Sequence, residues 1–160
     1  MNYFYIYIFT LLATLTFLGY GSLLASIVDK KLLKSNIGYI GLVGLLTCTV
    51  ISYTTIFFTK HGYLHNIVLH LIGFSLFLYF FINKKIEFKV STFLIIFSIL
   101  CIGLLILRNH DDFNYYHLTY SLSLTEDKLI FGLGNLGHGY THHSSIFFLN
   151  SILYLPIIKY

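Results

Sequence analysis

Two adjacent carboxylates, Asp111 and Asp112, lie in a 160-residue chain that has only six acidic residues. They follow an apolar run long enough to cross a membrane. Charge beside a bilayer is costly, so it tends to be kept where it orients a protein or does chemistry. Neighbouring carboxylates at a partly desolvated interface bind protons more tightly than isolated exposed ones. The pair is therefore a candidate catalytic site, while capping of a helix N-terminus is the ordinary alternative.

Histidines are concentrated in the same polar segment, between the fourth and fifth apolar stretches. Five of the eight in the chain occur there: His110, His117, His138, His142 and His143. Imidazole and carboxylate groups bind several divalent ions, so a divalent metal ion is a candidate cofactor. A histidine-rich loop without metal and a phosphate site that includes Arg108 are open alternatives. Four glycines predict that this loop is rich in turns.

The composition decides the class of protein that must position these residues. Hydrophobic residues make up 57% of the chain and charged residues 10%, with a mean hydropathy of +0.80. Average soluble domains carry about 25% charged residues, and a soluble fold of this size could not hide so much apolar surface. We therefore predict an all-α, polytopic transmembrane bundle. No broad basic patch is visible in the sequence, which argues against a nucleic-acid partner.

Charged borders mark five apolar stretches along the chain. They are Tyr3–Val28, Ile37–Thr59, Asn66–Ile82, Val90–Leu107 and Ser144–Ile158. Crossing the hydrocarbon core takes roughly 17 to 25 helical residues, so the first four are predicted spans. The fifth is short, and we expect a partial or re-entrant helix or a truncated span. The predicted division is a transmembrane region over 1–107, an outer loop over 108–143 and a short fifth membrane helix over 144–160.

Lysine distribution predicts the orientation in the membrane. The loop Asp29–Asn36 carries three lysines and the loop Asn83–Lys89 carries three more, whereas the N-terminus has none before Lys30. Cytoplasmic loops carry an excess of Lys and Arg. We therefore expect the N-terminus and the segment 108–143 on the outer face.

Helical spacing continues beyond the carboxylates. An amphipathic face is formed by Phe113, Tyr116, His117, Tyr120 and Leu124. The spacing predicts a short helix lying in the membrane interface, where aromatic rings favour the headgroup level.

Two further patterns concern packing between spans. Gly38, Gly41 and Gly44 recur every three residues and predict a close helix contact. His70 lies deepest in the third stretch and is expected to face other helices, whereas His61 and His65 are interpreted as interfacial anchors.

The chain resembles the GT-C superfamily of integral-membrane glycosyltransferases at Asp111–His117. Many bacterial members carry one or two Asp in an outer loop just after a span, then a Tyr-His-Leu-Pro run leading into an interfacial helix. Here Tyr116, His117 and Leu118 match, and Thr119 stands where Pro is usual. In that family the acidic loop follows the first span and the chains have more helices, so 160 residues would be an N-terminal portion or a related family.

The resemblance implies sugar transfer from a polyprenyl-phosphate donor on the outer face. Asp111 or Asp112 would be the general base. The residues that would bind substrate are Arg108, Tyr116, His117, His138, His142 and His143. The resemblance also implies a bacterial inner membrane as the location, and membrane lipid is an expected partner. The alternatives are a non-enzymatic polytopic protein, such as a transport or assembly subunit, and an inactive fragment.

Overall fold

The computed structural model describes residues 3–34, 36–106, 113, 115–135 and 144–156. All regular secondary structure within these ranges is helical, without strands, as the composition predicts. The α-helices are α1 Tyr3–Val28, α2 Ile37–Thr55, α3 Tyr63–Ile82, α4 Val90–Ile106, α5 His117–Glu126 and α6 Ser145–Ile152.

Helices α1, α2 and α3 are long and apolar enough to cross a membrane, which makes this an integral membrane protein. They have 26, 19 and 20 residues, and a rise of about 1.5 Å per residue carries each across a hydrocarbon core about 30 Å thick. Helix α4 is apolar with 17 residues. Helix α6 has eight residues and is too short to span.

The chain forms two compact units. The first contains Met1–Thr47 and His70–Arg108, and the second contains Cys48–Leu69 and Asn109–Tyr160. Helices α2 and α3 therefore contribute residues to both. The predicted division at residues 107 and 143 stays a prediction.

Glycines bring the helices of the first unit into close contact. A Cβ added to Gly44 of α2 would lie 1.7 Å from the backbone oxygen of Phe17 in α1, and one added to Gly19 of α1 would lie 1.8 Å from the backbone oxygen of Gly73 in α3. The predicted glycine contact is thus confirmed at Gly44. Gly38 instead lies exposed in the first turn of α2, with its N–H capped by a neighbouring side chain.

Buried polar residues add specific pairs to this packing. His70 of α3 is 2% exposed, and its Nδ1 lies 3.1 Å from Oγ1 of Thr16 in α1. The expectation that His70 faces another helix is therefore confirmed. The hydroxyls of Tyr7 in α1 and Ser98 in α4 lie 2.9 Å apart. A hydrogen bond of this kind fixes the register of two apolar helices, which packing alone leaves adjustable.

The second unit has its own small apolar core. Its buried members are Ile56, Tyr120, Leu124, Phe147 and Phe148. Helix α5 begins at His117, four residues after the predicted face begins, and it presents Tyr120 and Leu124 to this core. The periodicity therefore identified the right face, and α6 covers it.

Candidate functional site

Tyr116 and His117 are the two predicted site residues within the described ranges. Tyr116 is the N-cap residue of α5 and His117 opens the helix; both are half-buried. Their ring centroids lie 4.3 Å apart. The His117 ring also meets Phe147 of α6 edge to face, at 5.1 Å and 90°. This arrangement holds the imidazole at the start of a helix, against an aromatic wall.

The other predicted site residues lie outside the described residues. They are Arg108, Asp111, Asp112, His138, His142 and His143. Their assignment to a catalytic or substrate-binding site stays a prediction. Among the residues that the structure does describe, no group of three or more His, Cys, Asp or Glu side chains could hold a metal ion.

Phe147, which contacts the His117 ring, belongs to the apolar core of the second unit. Tyr120 is completely buried and its ring lies 5.0 Å from Phe147. Burial raises the pKa of Tyr120, and the nearby Tyr53 adds to the effect. The phenol therefore stays neutral and acts as a packing residue. Tyr53 in turn stacks on Phe148 at 4.0 Å.

A buried polar cluster centred on His61 lies in the same unit. His61 is completely buried, so its interpretation as an interfacial anchor is wrong. Its Nδ1 lies 2.6 Å from Oγ of Ser151 in α6, and its Nε2 lies 3.1 Å from Oγ1 of Thr55 at the end of α2. The ring therefore bridges the α2–α3 connection to α6.

Both hydroxyls that contact the His61 ring also donate to backbone oxygens. Ser151 Oγ donates to that of Phe148 at 2.8 Å, and Thr55 Oγ1 donates to that of Ser52 at 3.4 Å. Burial, followed by the nearby charge of His65, lowers the pKa of His61 to about 4, and a contact with the Ser52 backbone opposes this shift. The imidazole is neutral at physiological pH.

Asn66 of α3 completes the cluster. Its Nδ2 lies 2.8 Å from each of three backbone oxygens, those of His61, Ser151 and Tyr154. Its Oδ1 lies 2.9 Å from Nδ1 of His65. Three carbonyl oxygens around one nitrogen require the amide NH₂ there, which fixes the side-chain orientation.

A stacked tyrosine pair borders the cluster. The rings of Tyr63 and Tyr154 lie 4.8 Å apart at 13°, and the Tyr63 hydroxyl donates to that of Tyr154 at 2.9 Å. The neighbouring Tyr63 phenol raises the pKa of Tyr154, and burial adds to the rise.

The His61–Ser151 contact has the distance of an activated nucleophile and its base. The surroundings exclude that chemistry for the arrangement described. Ser151 is completely buried, and its proton is committed to the Phe148 carbonyl. A nucleophile must be reached by its substrate. The His61–Ser151 hydrogen bond therefore holds α6 against the loop before α3.

A surface depression of about 720 Å³ lies near the His61–Ser151 contact. Its lining comes from two segments, Thr59 and Lys60 on one and Glu126 to Ile130 on the other. Backbone hydrogen bonds join the same segments, from His61 N–H to Leu124 and from Leu129 N–H to Ile56. The depression carries charges of both signs, from Lys60 and Lys128 and from Glu126 and Asp127.

Sequence reasoning missed the His61 cluster because its members are far apart in the chain. Ser151 lies 90 residues after His61. One signal was available: Asn66 is an amide in an apolar helix, and such residues pair inside the protein. The sequence could not name carbonyl oxygens as its partners.

No family model, curated protein or solved structure matches this chain. The resemblance to the GT-C superfamily therefore stays a prediction based on the segment around Tyr116 and His117.

Proposed function

We propose that this protein is a membrane glycosyltransferase that transfers a sugar from a polyprenyl-phosphate donor to an acceptor on the outer face of the membrane. The supporting observation is the start of α5 at His117, with the Tyr116 and His117 rings held against α6. An ordered Tyr-His pair at a helix start, a few residues after Asp111 and Asp112, is the arrangement that the resemblance implies.

The proposed chemistry assigns one role to each group. Asp111 or Asp112 takes the proton from the acceptor hydroxyl, whose oxygen bonds to the anomeric carbon as the bond to the donor phosphate breaks. Tyr116 and His117 bind the sugar and its phosphate. Arg108 and the loop histidines His138, His142 and His143 stabilise the negative charge on the leaving phosphate, directly or with a divalent metal ion.

The proposal includes a topology. We assign α4 as a fourth span, because 17 residues meet the lower limit for crossing, and α6 as a partial membrane helix. Helix α5 then lies at the outer interface, with the N-terminus also outside and the lysine-rich loops inside a bacterial inner membrane. Its polar face meets the headgroups while Tyr120 and Leu124 face α6.

The test replaces each carboxylate without changing its size. Cells that carry the complete gene with Asp111→Asn or Asp112→Asn should lose the surface glycan that depends on this gene, because an amide cannot accept the hydroxyl proton. Asp127→Asn is the matched control, since Asp127 is an exposed acid in the same segment. Membranes should also be assayed for transfer of labelled sugar from the polyprenyl-phosphate donor. Normal transfer by the double Asp111→Asn, Asp112→Asn variant would overturn the proposal.

A second candidate is a non-enzymatic membrane subunit for transport or assembly. The closed cluster around His61 and Asn66 favours it, because its polar groups hold α6 in place and leave no reactive group open to a substrate. This candidate expects that the two Asp variants keep full function, whereas Asn66→Asp lowers function together with the stability of the fold. The opposite pattern, loss of glycan in a folded Asp variant, supports the enzyme.

A further inference from the structure

The first unit contains an apolar groove between α1, α2 and α4, with a volume of about 800 Å³. Large hydrophobic side chains form most of its wall. Representative members are Phe17, Leu45, Phe93, Ile96, Phe97 and Leu100. An apolar wall of this kind binds a hydrocarbon chain without hydrogen bonds, at a gain of about 0.8 kcal/mol per buried CH₂.

Charged residues line only one end of the groove. Lys34 from the first lysine-rich loop and Glu87 and Lys89 from the second lie there, all exposed. These two loops together carry six lysines against two acids. Two lysines and one acid give this end of the groove a net positive charge, and the other lining residues are uncharged.

The length of the groove matches one leaflet of a bilayer. Along α4 its lining runs from Lys89 to Cys101, and twelve residues at 1.5 Å rise give about 18 Å. Half of a hydrocarbon core is about 15 Å thick. A chain that enters beside Lys89 thus ends near the middle of the membrane.

We propose that this groove binds an anionic glycerophospholipid, with one acyl chain between α1, α2 and α4 and its phosphate between Lys34 and Lys89. Basic pockets between membrane helices on the cytoplasmic side bind anionic headgroups in this way. The lysine-rich end is the predicted cytoplasmic end. The site is therefore different from the proposed polyprenyl-phosphate site, which would lie on the outer face.

Native mass spectrometry of the purified full chain tests the headgroup. The probes are dioleoyl phosphatidylglycerol and dioleoyl phosphatidylcholine, added at equal concentration. The wild-type chain should retain one phosphatidylglycerol in preference to phosphatidylcholine. Lys34→Gln with Lys89→Gln should weaken phosphatidylglycerol binding at least tenfold. Lys30→Gln with Lys84→Gln removes two exposed lysines from the same loops but outside the groove, and should keep the preference.

The acyl chain is tested by filling the groove. Ile96 and Ile95 are adjacent on α4 and 53% and 62% exposed, and only Ile96 lines the groove. Ile96→Trp should therefore abolish retention of both lipids, and Ile95→Trp should leave it unchanged. Thr92→Trp, which also lines the groove, should repeat the effect of Ile96→Trp.

Several results would overturn the proposal. One is equal retention of the two lipids by the wild-type chain, and another is equal loss in the Lys34/Lys89 and Lys30/Lys84 variants. Displacement of the lipid by inorganic phosphate alone would show that the groove contributes nothing. A dimer that Ile96→Trp dissociates, without bound lipid, would assign the groove to a second copy of the chain.

Discussion

Asn66 organises three carbonyl oxygens that come from two separate parts of the chain. A carboxylate has the same shape as this amide but offers no N–H donor. An isosteric change at Asn66 therefore isolates the hydrogen bonds from the packing.

Asn66→Asp should lower the stability of the protein by roughly 3 kcal/mol, because a buried acid faces three oxygens that it cannot satisfy together. The unfolding temperature in detergent, followed by circular dichroism, measures this loss. Asn83→Asp is the matched control: Asn83 donates to one backbone oxygen at 2.7 Å but is exposed. Equal losses in both variants would mean that the three-carbonyl contact does not stabilise the fold.

His61 makes the fold sensitive to acid. Its pKa is lowered to about 4 in the folded chain, against about 6.5 when unfolded. Between these values the unfolded chain binds a proton and the folded chain does not, so stability is complete above about pH 6.5 and falls as the pH drops towards 4. The full loss is roughly 3 kcal/mol at about 1.4 kcal/mol per pH unit.

Unfolding temperatures measured between pH 4 and pH 7 should show this slope in the wild-type chain. His61→Gln should be less stable at pH 7 but lose most of the slope. His117→Gln, at a half-buried histidine outside the cluster, should keep it. An unchanged slope in His61→Gln would assign the acid sensitivity to other groups.

For single residues, the sequence predicted burial only where a local pattern indicated it. The depth of His70 in an apolar run was enough to predict an interhelical contact. His61 lies only nine residues earlier, in the loop just before the start of α3. Its burial depends on this loop and on Ser151. Such a contact has no local signal.

Among the elements, α1 carries close contacts on two sides. Gly19 meets α3 at the backbone of Gly73, and Gly21 meets α2 at the backbone of Ile40. Backbone atoms cannot move aside as a flexible side chain can. Any side chain at these positions must push two helices apart.

Gly44→Ala should therefore destabilise the first unit, since its Cβ would overlap the backbone oxygen of Phe17. Overpacking of this kind costs typically 1–3 kcal/mol or more. Gly103→Ala in α4 is the control, because a Cβ there meets nothing within 4 Å among the described residues. Thermal unfolding and the yield of monodisperse protein should fall for Gly44→Ala alone.

The elements themselves were the most predictable part of the fold. The charged border at Asp29 predicted the end of α1 correctly, because the helix continues for as long as the residues are apolar. Helix α2 ends at Thr55, four residues before the predicted border. Residues 56–62 leave the helix to make the contacts of His61, and those contacts are invisible in an apolar pattern.

For the whole molecule, the lysine-rich loops predict one orientation in the membrane. A chain without Cys48 and Cys101 would carry single cysteines at Lys31, Lys84 or Lys128, which are all exposed. An impermeant maleimide should label Lys128→Cys in intact cells. It should label Lys31→Cys and Lys84→Cys only after lysis. Labelling of all three in intact cells would contradict the proposed topology.

The class of the molecule followed from composition, whereas its internal pairing did not. Hydrophobicity reports the solvent that surrounds a helix. It does not report which residues face each other, because lipid and protein neighbours are equally apolar. Gly73, for example, gave no sequence signal, yet its backbone is the surface against which Gly19 packs.

The partners of Asn66 also set an order of events during synthesis. Two of its three acceptors lie 85 and 88 residues downstream. At 5–20 residues per second, the ribosome needs about 4 to 18 seconds to produce them. Throughout that interval Asn66 in α3 and His61 in the loop before it lack the partners that residues 151–154 supply. The residues around Ser151 thus complete the cluster last. A nascent chain released before they emerge would expose the loop before α3 to membrane proteases.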